Sequence, residues 1–415
     1  MVIEYKPNNP TNFTKIKIIG VGGGGGNAIN SMIRAGIKGV DFYAANTDTQ
    51  HLNMSLASNK IYLGKKLTQG RGAGAEPEMG RKAAIESMEE IEQMLMDTDM
   101  LFIAAGMGGG TGTGAAPEIA RKAKAFKVLT LAVVTIPFGF EGNTRLSRAL
   151  AGILELQGIV DSIIVLQNDK IYDIFGDLTR KEAYAQLDKI IVNSARTITD
   201  IVNDSGDINI DFANVKKAMC DSGYSVISIG MADGDNRVSK AIKDVLFNPL
   251  YSDVDLSGCK GLLVNIYDSG DMKMSEEKQI REIITNETGL SGEIFFGNTT
   301  DESLDGTIKI AMIATGLSTS KAVTALMNND SIEKPEPIAE PPIVISLPRN
   351  GEPSTAKSWE KDIQRVNDSK DRQEQNTLLH KPQITTFNPN ISHNPCTTDE
   401  IKQGNVPSFI RKLSD

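Results

Sequence analysis

The amino-acid sequence predicts an α/β fold in which a parallel sheet carries helices on both faces and a second, α+β domain follows. Three observations support this prediction. Between Thr14 and Leu317, strand-like apolar runs alternate with helical stretches, a pattern typical of parallel sheets. Two glycine-rich loops each follow a predicted strand and precede a predicted helix. One long amphipathic helix, beginning at Thr179, separates the two halves.

The composition argues against several classes of protein. A chain of 415 residues exceeds one ordinary domain. Its net charge of -9 argues against nucleic-acid binding through a basic surface. No stretch approaches the roughly 20 apolar residues of a membrane span, and the first residues lack a signal pattern, so we expect neither. Three scattered cysteines fit a reducing cytoplasm, and only three histidines argue against a His-centred catalytic or zinc site.

Each predicted strand of the first half is a short apolar run. These strands are Ile16–Ile19, Phe42–Ala45, Met100–Ala105, Val128–Val134 and Ile163–Leu166. A helix is predicted over Ala84–Met96, because Ile85, Met88, Ile91 and Leu95 fall on one face. Ligands of parallel sheets bind at the carboxyl ends of the strands, so the loops after these strands are where a site is expected.

The long central helix opens with a capping box formed by Thr179 and Glu182. Apolar residues then recur close to every 3.6 positions as far as Val202, and Gly206 is predicted to end the helix. The second half is predicted to hold strands at Val226–Ile229, Gly261–Tyr267, Gly292–Phe296 and Thr307–Ala314, with helices at Ser239–Leu246 and Lys278–Thr285.

The first glycine loop, Gly20–Ala28, leaves a strand and runs into a helix. Glycines let backbone amides approach a phosphate, and the helix N-terminus adds partial positive charge. The spacing Gly20-x-Gly22-x-x-Gly25 also matches the dinucleotide-binding fingerprint. Any run of glycines contains that spacing, so the match alone leaves a dinucleotide-dependent oxidoreductase and a flexible hinge open.

The second glycine loop, Gly106–Gly114, argues against the oxidoreductase, which needs only one such loop. Two loops on one sheet can clamp a polyphosphate from two sides, with Thr111 and Thr113 adding hydroxyl donors. The GxxxxGK[ST] string of P-loop NTPases is absent. The cluster Gly70–Ala75 offers further amides near the sheet edge, and Asp48, after the second strand, could reach a ribose or a metal-bound water.

The string GGGTGTG, at Gly108–Gly114, is the signature of the tubulin and FtsZ superfamily. The strings IGVGGGGGNA, NTD, GAGAEPEMG, VVTIPFGFEG and NDK resemble bacterial FtsZ, a family of cell-division GTPases. The resemblance runs from about Thr14 to Leu317 and resumes at the C-terminus. It implies a Rossmann-like domain that binds GTP or GDP, with Mg²⁺ held through the phosphates and by no protein side chain directly. It also implies a head-to-tail homopolymer at the mid-cell division ring under the cytoplasmic membrane.

The resemblance implies which residues bind the nucleotide. Guanine would be held by Asn27, Tyr184 and Asp188; the last two are four positions apart on the long helix and face the same way. An aspartate accepts from both N1–H and the exocyclic amine of guanine, a donor pair that adenine lacks. Glu141 and Arg145 would contact the sugar, although they could equally be a surface i,i+4 pair. The other implied nucleotide-binding residues are Gly22, Gly23, Gly24, Gly25, Gly26, Asp48, Gly74, Gly108, Gly109, Gly110, Thr111, Gly112, Thr113, Gly114 and Asn168.

Hydrolysis in this family involves an N-x-D-x-x-D segment after the core helix, which one subunit presents to the γ-phosphate held by the next. Asn209 and Asp211 are present here, but Asn214 stands at the second acid position. An amide cannot accept a proton as a carboxylate does. If the missing acid orients the water, about 100-fold or more of rate could be absent; if Asp211 does so, the loss is smaller. A filament-forming paralogue that binds GTP and scarcely hydrolyses it therefore stays open.

The sequence predicts six consecutive regions, of which the last two form a C-terminal tail. It runs through an N-terminal arm (1–13), a GTP-binding domain (14–178), the core helix (179–206), an α+β domain (207–318), a linker (319–399) and a C-terminal peptide (400–415). Nine of the 16 prolines lie between Ser331 and Glu400, so the linker is predicted to be disordered. Membrane-tethering and division-regulating proteins are expected to bind the peptide, unless it is a frayed terminus, through Val406, Pro407, Phe409, Ile410, Arg411 and Lys412.

Overall fold

The computed structural model describes residues 14–203, 208, 210–251, 254–289 and 293–318. The chain divides into two compact units, Met1–Ala339 and Glu340–Asp415, and every described residue belongs to the first. The predicted N-terminal arm, linker and C-terminal peptide therefore lie outside the described residues, as do Gly206, Asn209 and the side chain of Tyr184.

All nine predicted strands are present, with ends that differ by a few residues, and the short strand β3 is an addition. The strands are β1 (Ile16–Val21), β2 (Val40–Asn46), β3 (Asn59–Tyr62), β4 (Met100–Gly106), β5 (Leu129–Ile136), β6 (Ser162–Gln167), β7 (Gly223–Ala232), β8 (Gly261–Asp268), β9 (Glu293–Thr300) and β10 (Ile308–Leu317). The helices are α1 (Gly22–Arg34), α2 (Thr49–Asn53), α3 (Pro77–Glu86), α4 (Met88–Leu95), α5 (Thr111–Ala125), α6 (Asn143–Gln157), α7 (Lys170–Phe175), α8 (Arg180–Asn203), α9 (Phe212–Met219), α10 (Arg237–Leu246) and α11 (Met274–Thr288).

The strands form one sheet in the order β3-β2-β1-β4-β5-β6-β7-β10-β8-β9. Neighbours from β3 to β7 are parallel, β10 is antiparallel to β7 and β8, and β8 and β9 are parallel. The first six strands have the order of doubly wound nucleotide-binding sheets. Because β1 and β4 are neighbours, the two glycine loops that follow them lie side by side at the carboxyl edge. The fold class predicted from the sequence is confirmed.

The parallel half and the mixed half of the sheet meet at a narrow seam, where β6 and β7 share only two residue pairs. Asp161, just before β6, reinforces the seam. Its carboxylate accepts a hydrogen bond from the Thr130 N–H over 2.8 Å, and its carbonyl accepts from the N–H groups of Ser222 (2.8 Å) and Gly223 (3.0 Å). The second α+β part therefore continues the first sheet instead of building a separate one.

The long helix α8 begins with the predicted capping box. The Thr179 N–H donates to the Glu182 carboxylate over 3.0 Å, and the Glu182 N–H donates to the Thr179 hydroxyl over 3.4 Å. The apolar stripe of α8 is buried, as the 3.6-residue spacing predicts. Its buried members are Leu187, Ile191, Val192, Ala195, Ile198 and Ile201.

Helix α8 crosses the parallel half from the carboxyl edge of the sheet to the opposite edge. Near its start, Asp188 accepts a hydrogen bond from Ser31 of α1 over 2.9 Å. At its end, the Asn203 amide donates to the carbonyl of Gly39, just before β2, over 3.3 Å. The fifteen steps along the helix from Asp188 to Asn203, at about 1.5 Å each, span about 22 Å. The chain after α8 therefore begins at the edge opposite the glycine loops.

The single helix predicted over Ala84–Met96 is wrong, because two helices occupy this region and meet at Ser87. The Ser87 hydroxyl donates to the Tyr62 carbonyl over 3.1 Å and accepts the Gly64 N–H over 3.0 Å. These bonds to the chain around β3 hold Ser87 outside helical geometry, with φ of -98° and ψ of 21°, and the first helix ends there. Ile85, predicted on the buried face, is consequently 53% exposed.

Helices cover both faces of the parallel half, and β1, β4 and β5 are buried almost throughout. None of the helices in the described part of the chain combines the length and the apolar character needed to cross a membrane.

Candidate functional site

The two glycine loops contact each other at the carboxyl edge of the sheet. Gly22 has φ of +73°, which favours glycine, and a β-carbon there would lie 3.0 Å from the amide nitrogen of Gly112. A β-carbon on Gly24 would lie 3.1 Å from the Cα of Gly106. Glycine at these positions therefore lets the N-termini of α1 and α5 come together. Unpaired amide groups and two helix dipoles make such a place favourable for an anion.

The hydroxyls of the second loop differ in what they do. The Gly108 N–H donates to the Thr113 hydroxyl over 2.8 Å, and both are buried. Thr113 thus closes its own loop, a role that the residue pattern did not predict. Thr111 lines the cleft, and its hydroxyl lies 2.6 Å from that of Thr47, which follows β2. This pair joins the loop after β2 to the second glycine loop.

The third glycine cluster packs against the second loop. A β-carbon on Gly110 would lie 2.8 Å from the Ala73 β-carbon and from the Glu76 nitrogen. Arg148 of α6 donates to the Ala75 carbonyl over 2.9 Å and holds this loop from outside. Gly74 itself is exposed, with nothing within 4 Å of the place where a β-carbon would be, so its contact with a ligand stays a prediction.

A cleft of about 330 Å³ opens where α1, α5, α6 and α8 meet the sheet. It brings together eleven of the predicted residues, which are Gly23, Gly24, Asn27, Gly109, Gly110, Thr111, Gly112, Glu141, Arg145, Asn168 and Asp188. Residues that the sequence did not single out complete the lining, which are Gly106, Met107, Thr135, Pro137, Leu187 and Ile191. Leu187 and Ile191 flank Asp188 on α8, so helical spacing could have found them.

Several predicted glycines have a packing role instead of lining this cleft. A β-carbon on Gly25 would overlap the Ala104 carbonyl of β4, and one on Gly114 would overlap the Pro77 carbonyl of α3. Gly22 and Gly26 line a smaller cleft of about 230 Å³ on the other side of α1. These positions therefore shape the loops that a phosphate would contact.

Asp188 and Asn168 provide hydrogen-bond acceptors at one end of the cleft. Burial raises the pKa of the Asp188 carboxyl above its ordinary value, while the Ser31 hydrogen bond and the charge of Arg34 act in the opposite direction. The Asn168 side chain is 9% exposed, and no described residue donates to its Oδ1. A buried acceptor without a donor costs about 1–3 kcal/mol. This end of the cleft therefore suits a ligand that carries hydrogen-bond donors.

Glu141 and Arg145, predicted to contact the sugar, form an ion pair at the mouth of the cleft. The guanidinium and the carboxylate are 2.8 Å apart, and Glu141 also accepts the Phe138 N–H over 2.9 Å. Glu141 and Arg145 therefore form the i,i+4 pair and also line the cleft, so the two interpretations of the sequence do not exclude each other. A sugar hydroxyl at the mouth of the cleft would hydrogen-bond to this ion pair, which is already formed without the ligand.

Asp48, predicted to reach a ribose or a metal-bound water, is the N-cap of α2. Its carboxylate accepts the N–H groups of Gln50 over 2.8 Å and His51 over 3.1 Å. One oxygen, Oδ1, makes both bonds, so Oδ2 is the atom left for any ligand contact. The described cleft does not include this residue.

The acidic segment lies away from the cleft. Asp211 is the N-cap of α9, and its Oδ1 accepts the Asn214 N–H over 2.8 Å. Asp211 is exposed and Asn214 is half-buried. Asp188 lines the cleft, and Asn203 lies about 22 Å further along α8, where the chain leaves toward Asp211, so we expect Asp211 to lie out of reach of a phosphate bound in the cleft of its own chain.

In the described lining of the cleft, a divalent cation would find side-chain carbonyl and hydroxyl oxygens, such as those of Asn27 and Thr111, but no cluster of carboxylates. Among the described residues, the one group of three close His, Cys or acidic side chains is Asp161, Cys220 and Asp221, which lies at the β6–β7 seam. Mg²⁺ prefers oxygen ligands and keeps several waters. The cleft thus fits an ion carried by the phosphates of a ligand, with no protein side chain bound to it directly.

Two family profiles match the chain. The profile described as the GTPase domain of the Tubulin/FtsZ family matches residues 15–176, and the C-terminal domain of the FtsZ family matches residues 223–318. The cell division protein FtsZ of Azotobacter vinelandii is 38% identical over 402 residues, which cover 96% of this chain and 97% of that protein. The chain belongs to the FtsZ family.

Other relatives agree with this assignment. The mitochondrial division protein fszA of Dictyostelium discoideum is 44% identical over 302 residues, which cover 73% of this chain and 58% of fszA. The chain thus spans less than two thirds of the length of that relative. A solved structure of an FtsZ dimer from M. jannaschii has 38% identity and a TM-score of 0.67, covering 73% of this chain and 88% of that one. The family assignment made from the glycine strings is confirmed, and the roles of individual site residues stay predictions.

Proposed function

We propose that this chain is a cell-division GTPase that binds GTP in the cleft and hydrolyses it at the junction between two subunits of a filament. One observation carries the proposal. The cleft combines two glycine loops at helix N-termini with acceptors on the half-buried Asp188 and the buried Asn168. The loops suit phosphates, and the acceptors suit a base that carries donors.

Guanine fits the acceptor end better than adenine does. Its N1–H and exocyclic amine are adjacent donors, which one carboxylate accepts together, whereas adenine has no donor at N1. We assign this contact to Asp188, with Asn27 on the facing side of the cleft and Tyr184 as the stacking residue. Binding would replace the Ser31 hydrogen bond or share it, because Ser31 Oγ donates to Asp188 Oδ2 in the structure.

The phosphates would lie over Gly23, Gly24, Gly109 and Gly112, where backbone N–H groups can donate. Mg²⁺ bound to these phosphates would neutralise part of their charge. The protein's own contribution is to hold the chain of phosphates in one orientation and to present the Thr111 hydroxyl beside it.

Hydrolysis would need an acid group from a second subunit, because Asp211 is too far from the cleft of its own chain. Water attacks the γ-phosphorus, the bond to the β–γ bridging oxygen breaks, and GDP leaves. Asp211 Oδ1 is occupied by the helix cap, so its Oδ2 is the oxygen we assign to orienting the water and accepting its proton. The reaction thus requires two copies of the chain.

Such a junction repeats along an open filament, since each subunit offers a cleft at one end and an acidic segment at the other. We infer a head-to-tail homopolymer with Mg²⁺-dependent GTP turnover at the mid-cell ring, beneath the cytoplasmic membrane. Proteins that tether or regulate the ring would bind the C-terminal peptide.

The test measures phosphate release from GTP and from ATP while protein concentration is varied. We expect GTP to be strongly preferred, and the rate per molecule to rise above a critical concentration. Nucleotide extracted from the purified chain should be GDP or GTP. Equal use of ATP, or a rate per molecule that does not depend on concentration, would contradict the proposal.

One observation favours a second candidate, a GTP-binding filament with little hydrolysis. Asn214 contributes a neutral amide at the first turn of α9, where the family usually has an acid. Filaments seen by sedimentation, together with phosphate release near background at the same concentration, would select this candidate.

A further inference from the structure

The segment that leads to Asp211 is attached to β9, at the end of the sheet. The Asn298 N–H donates to the Ile208 carbonyl over 2.9 Å, and the Ile208 N–H donates back to the Asn298 carbonyl over 3.4 Å. The two residues thus form an antiparallel bridge. Among the named strands of the described chain β9 pairs with β8 alone, so the bridge lies on its outer side. The C-terminal half of the sheet therefore holds one end of the acidic segment.

Gly297 forms a socket for Ile210, the residue immediately before Asp211. Ile210 is 3% exposed, whereas Asp211 beside it is exposed. A β-carbon on Gly297 would lie 3.1 Å from Ile210 Cγ1 and 3.2 Å from its Cδ1, and nearer still to the side-chain oxygen of Asn265 on β8. Carbon atoms in good contact are about 3.5–4.0 Å apart. A β-carbon at 297 would thus overlap the Asn265 oxygen and also crowd Ile210, so glycine there leaves room for both side chains.

Asp211 is fixed from two sides. Ile210 anchors it from the sheet, and the Asn214 N–H holds its Oδ1 from the start of α9. A displaced Ile210 would move the Asp211 backbone and turn its carboxylate. Misplacing a catalytic group by about 1 Å can cost about 100-fold in rate. GTP binding would not change, because the cleft lies at the other end of α8.

We propose that Gly297 of β9 is a positioning residue for hydrolysis, because it provides the socket that seats Ile210 and thereby places the Asp211 carboxylate. This inference rests on the proposed function, in which one subunit's Asp211 acts on GTP held by its neighbour. It makes the C-terminal half of the sheet responsible for turnover and leaves nucleotide affinity to the parallel half.

The first test compares the steady-state kinetics of three variants of the full chain. Gly297→Ala should lower kcat about tenfold or more, with KM and the Kd for GTP within about twofold of the unmodified chain. Gly297→Ala combined with Ile210→Val and Asn265→Ala, which removes both the Cδ1 atom of Ile210 and the Asn265 oxygen that lies nearest to the new β-carbon, should recover much of the lost kcat. Gly158→Ala is the matched control, because its β-carbon would meet nothing closer than 3.5 Å, and it should keep full turnover.

The second test is independent of hydrolysis and measures hydrogen exchange at two backbone amides. The Asn298 and Asn214 N–H groups donate to Ile208 and Asp211, so loss of the socket should accelerate their exchange. Gly297→Ala should show faster exchange at both amides, and the combined variant that also carries Ile210→Val and Asn265→Ala should restore protection.

Full turnover and full protection in Gly297→Ala would overturn the inference, as would a kcat loss that the combined variant with Ile210→Val and Asn265→Ala does not relieve. An equal loss of GTP affinity would also overturn it, because it would indicate general unfolding. If Gly297→Ala fails to fold, Ile210→Ala empties the socket from the other side, and unchanged kcat and exchange there would be equally decisive. If the unmodified chain hydrolyses no GTP, the proposed function fails, while hydrogen exchange still tests the socket.

Discussion

At the residue scale, we propose that Asp188 determines the choice of nucleotide. Its carboxylate is held in the cleft by Ser31, and burial raises its pKa. We predict that Asp188→Ala weakens GTP binding by about 1–3 kcal/mol, which is about 5- to 150-fold. The reason is that the guanine donors would lose their acceptor. The Kd of GTP and of ATP, measured by titration, should become nearly equal in the variant.

The pH dependence of binding supplies the control. Guanine needs the ionised carboxylate, and the pKa of Asp188 lies above the about 3.9 of an ordinary aspartate. As pH falls through that raised pKa, the carboxyl gains a proton and GTP affinity should decrease. Asp188→Ala should lack this step, while Glu89→Ala, at an exposed acid of α4, should keep it. A step of equal size in Asp188→Ala would assign the titration to another group.

Asn214 bears on the rate of the chemical step. Its side chain is at the third position of α9, and its own N–H already serves the Asp211 cap. We predict that Asn214→Asp raises turnover by about 10- to 100-fold if a second carboxylate takes part in proton transfer. The filaments should also shorten in lifetime. Phosphate release and light scattering, followed on one sample, measure both effects.

A matched variant separates chemistry from helix stability. An acid in the first turn also favours the helix dipole by about 0.3–1 kcal/mol, without any role in hydrolysis. Ala213→Asp puts an acid in the same first turn at an exposed neighbouring position, and it should leave turnover unchanged. Equal turnover in Asn214→Asp and Ala213→Asp would mean that the charge acts through the helix and that Asp211, or another group, already performs the step.

The secondary-structure elements show where sequence reasoning succeeds and where it stops. Long buried strands such as β4 and β5 were predictable, because continuous apolar runs specify them. The break between α3 and α4 was not, because Ser87 is held by β3, a four-residue strand that carries little pattern of its own. Helical periodicity predicts a buried face only for one continuous helix. Because the contact between Ser87 and the chain around β3 interrupts that helix, Ile85 lies at the surface and not on the buried face.

The sequence likewise predicted one part of the candidate site and missed another. Glycine spacing predicted the two loops and most of the cleft lining. It could not separate residues that would touch a ligand from residues that hold the loops. Thr113 and Asp48 have hydroxyl and carboxylate groups suited to a ligand, yet both bond to nearby backbone amides. Such local bonds depend on backbone geometry that a sequence string does not specify.

Arg237 joins three parts of the C-terminal half. It bonds to Glu276 of α11 over 2.9 Å and to Asp271 over 2.7 Å, and it also donates to the Gly306 carbonyl over 2.8 Å. Its side chain is 10% exposed. We predict that Arg237→Met lowers the free energy of unfolding by about 3 kcal/mol, because it leaves Glu276 without its buried partner. Chemical denaturation of the full chain measures this change.

Lowering the pH should also reduce the free energy of unfolding, because it protonates the carboxylates that pair with Arg237. Hydrogen bonds to Arg237 hold the pKa values of Glu276 and Asp271 below their ordinary range. Carboxyls with lowered pKa stabilise the fold above their unfolded pKa, and that stability is lost as pH falls through the folded value. The loss should be smaller in Arg237→Met. Lys278→Met, which breaks an exposed ion pair with Glu282, should change little at any pH.

In the described part of the molecule, the cleft lies beside the glycine loops and the acidic segment follows the far end of α8, so the hydrolysis that we propose can be complemented between subunits. Asp188→Ala should bind GTP weakly but still present Asp211. Asp211→Ala should bind GTP but present no acid. We predict that each variant alone has low turnover and that a mixture regains part of it, because some junctions pair an intact cleft with an intact acid. Phosphate release against mixing ratio measures the recovery.

The double variant provides the control for this mixing experiment. A chain carrying both substitutions lacks cleft and acid alike, so adding it to either single variant cannot complete a junction. No recovery is expected there. A mixture of the two single variants that co-sediments and still regains no turnover would mean that each cleft acts without its neighbour.

The C-terminal peptide allows a prediction about attachment, separate from the folded unit. A linker of about 80 residues that behaves as a flexible coil has a root-mean-square reach of about 50 Å. Phe409 and Ile410 offer an apolar anchor, with Arg411 and Lys412 as a basic flank. We predict that deleting Val406–Asp415 leaves GTP binding and filament formation intact and abolishes binding of ring-tethering proteins. Exchanging only Phe409 and Ile410 for serine should have the same effect, because the anchor would lose its apolar contact while the chain keeps its length. Filaments lost in the deletion would instead show that the peptide belongs to the polymerising body.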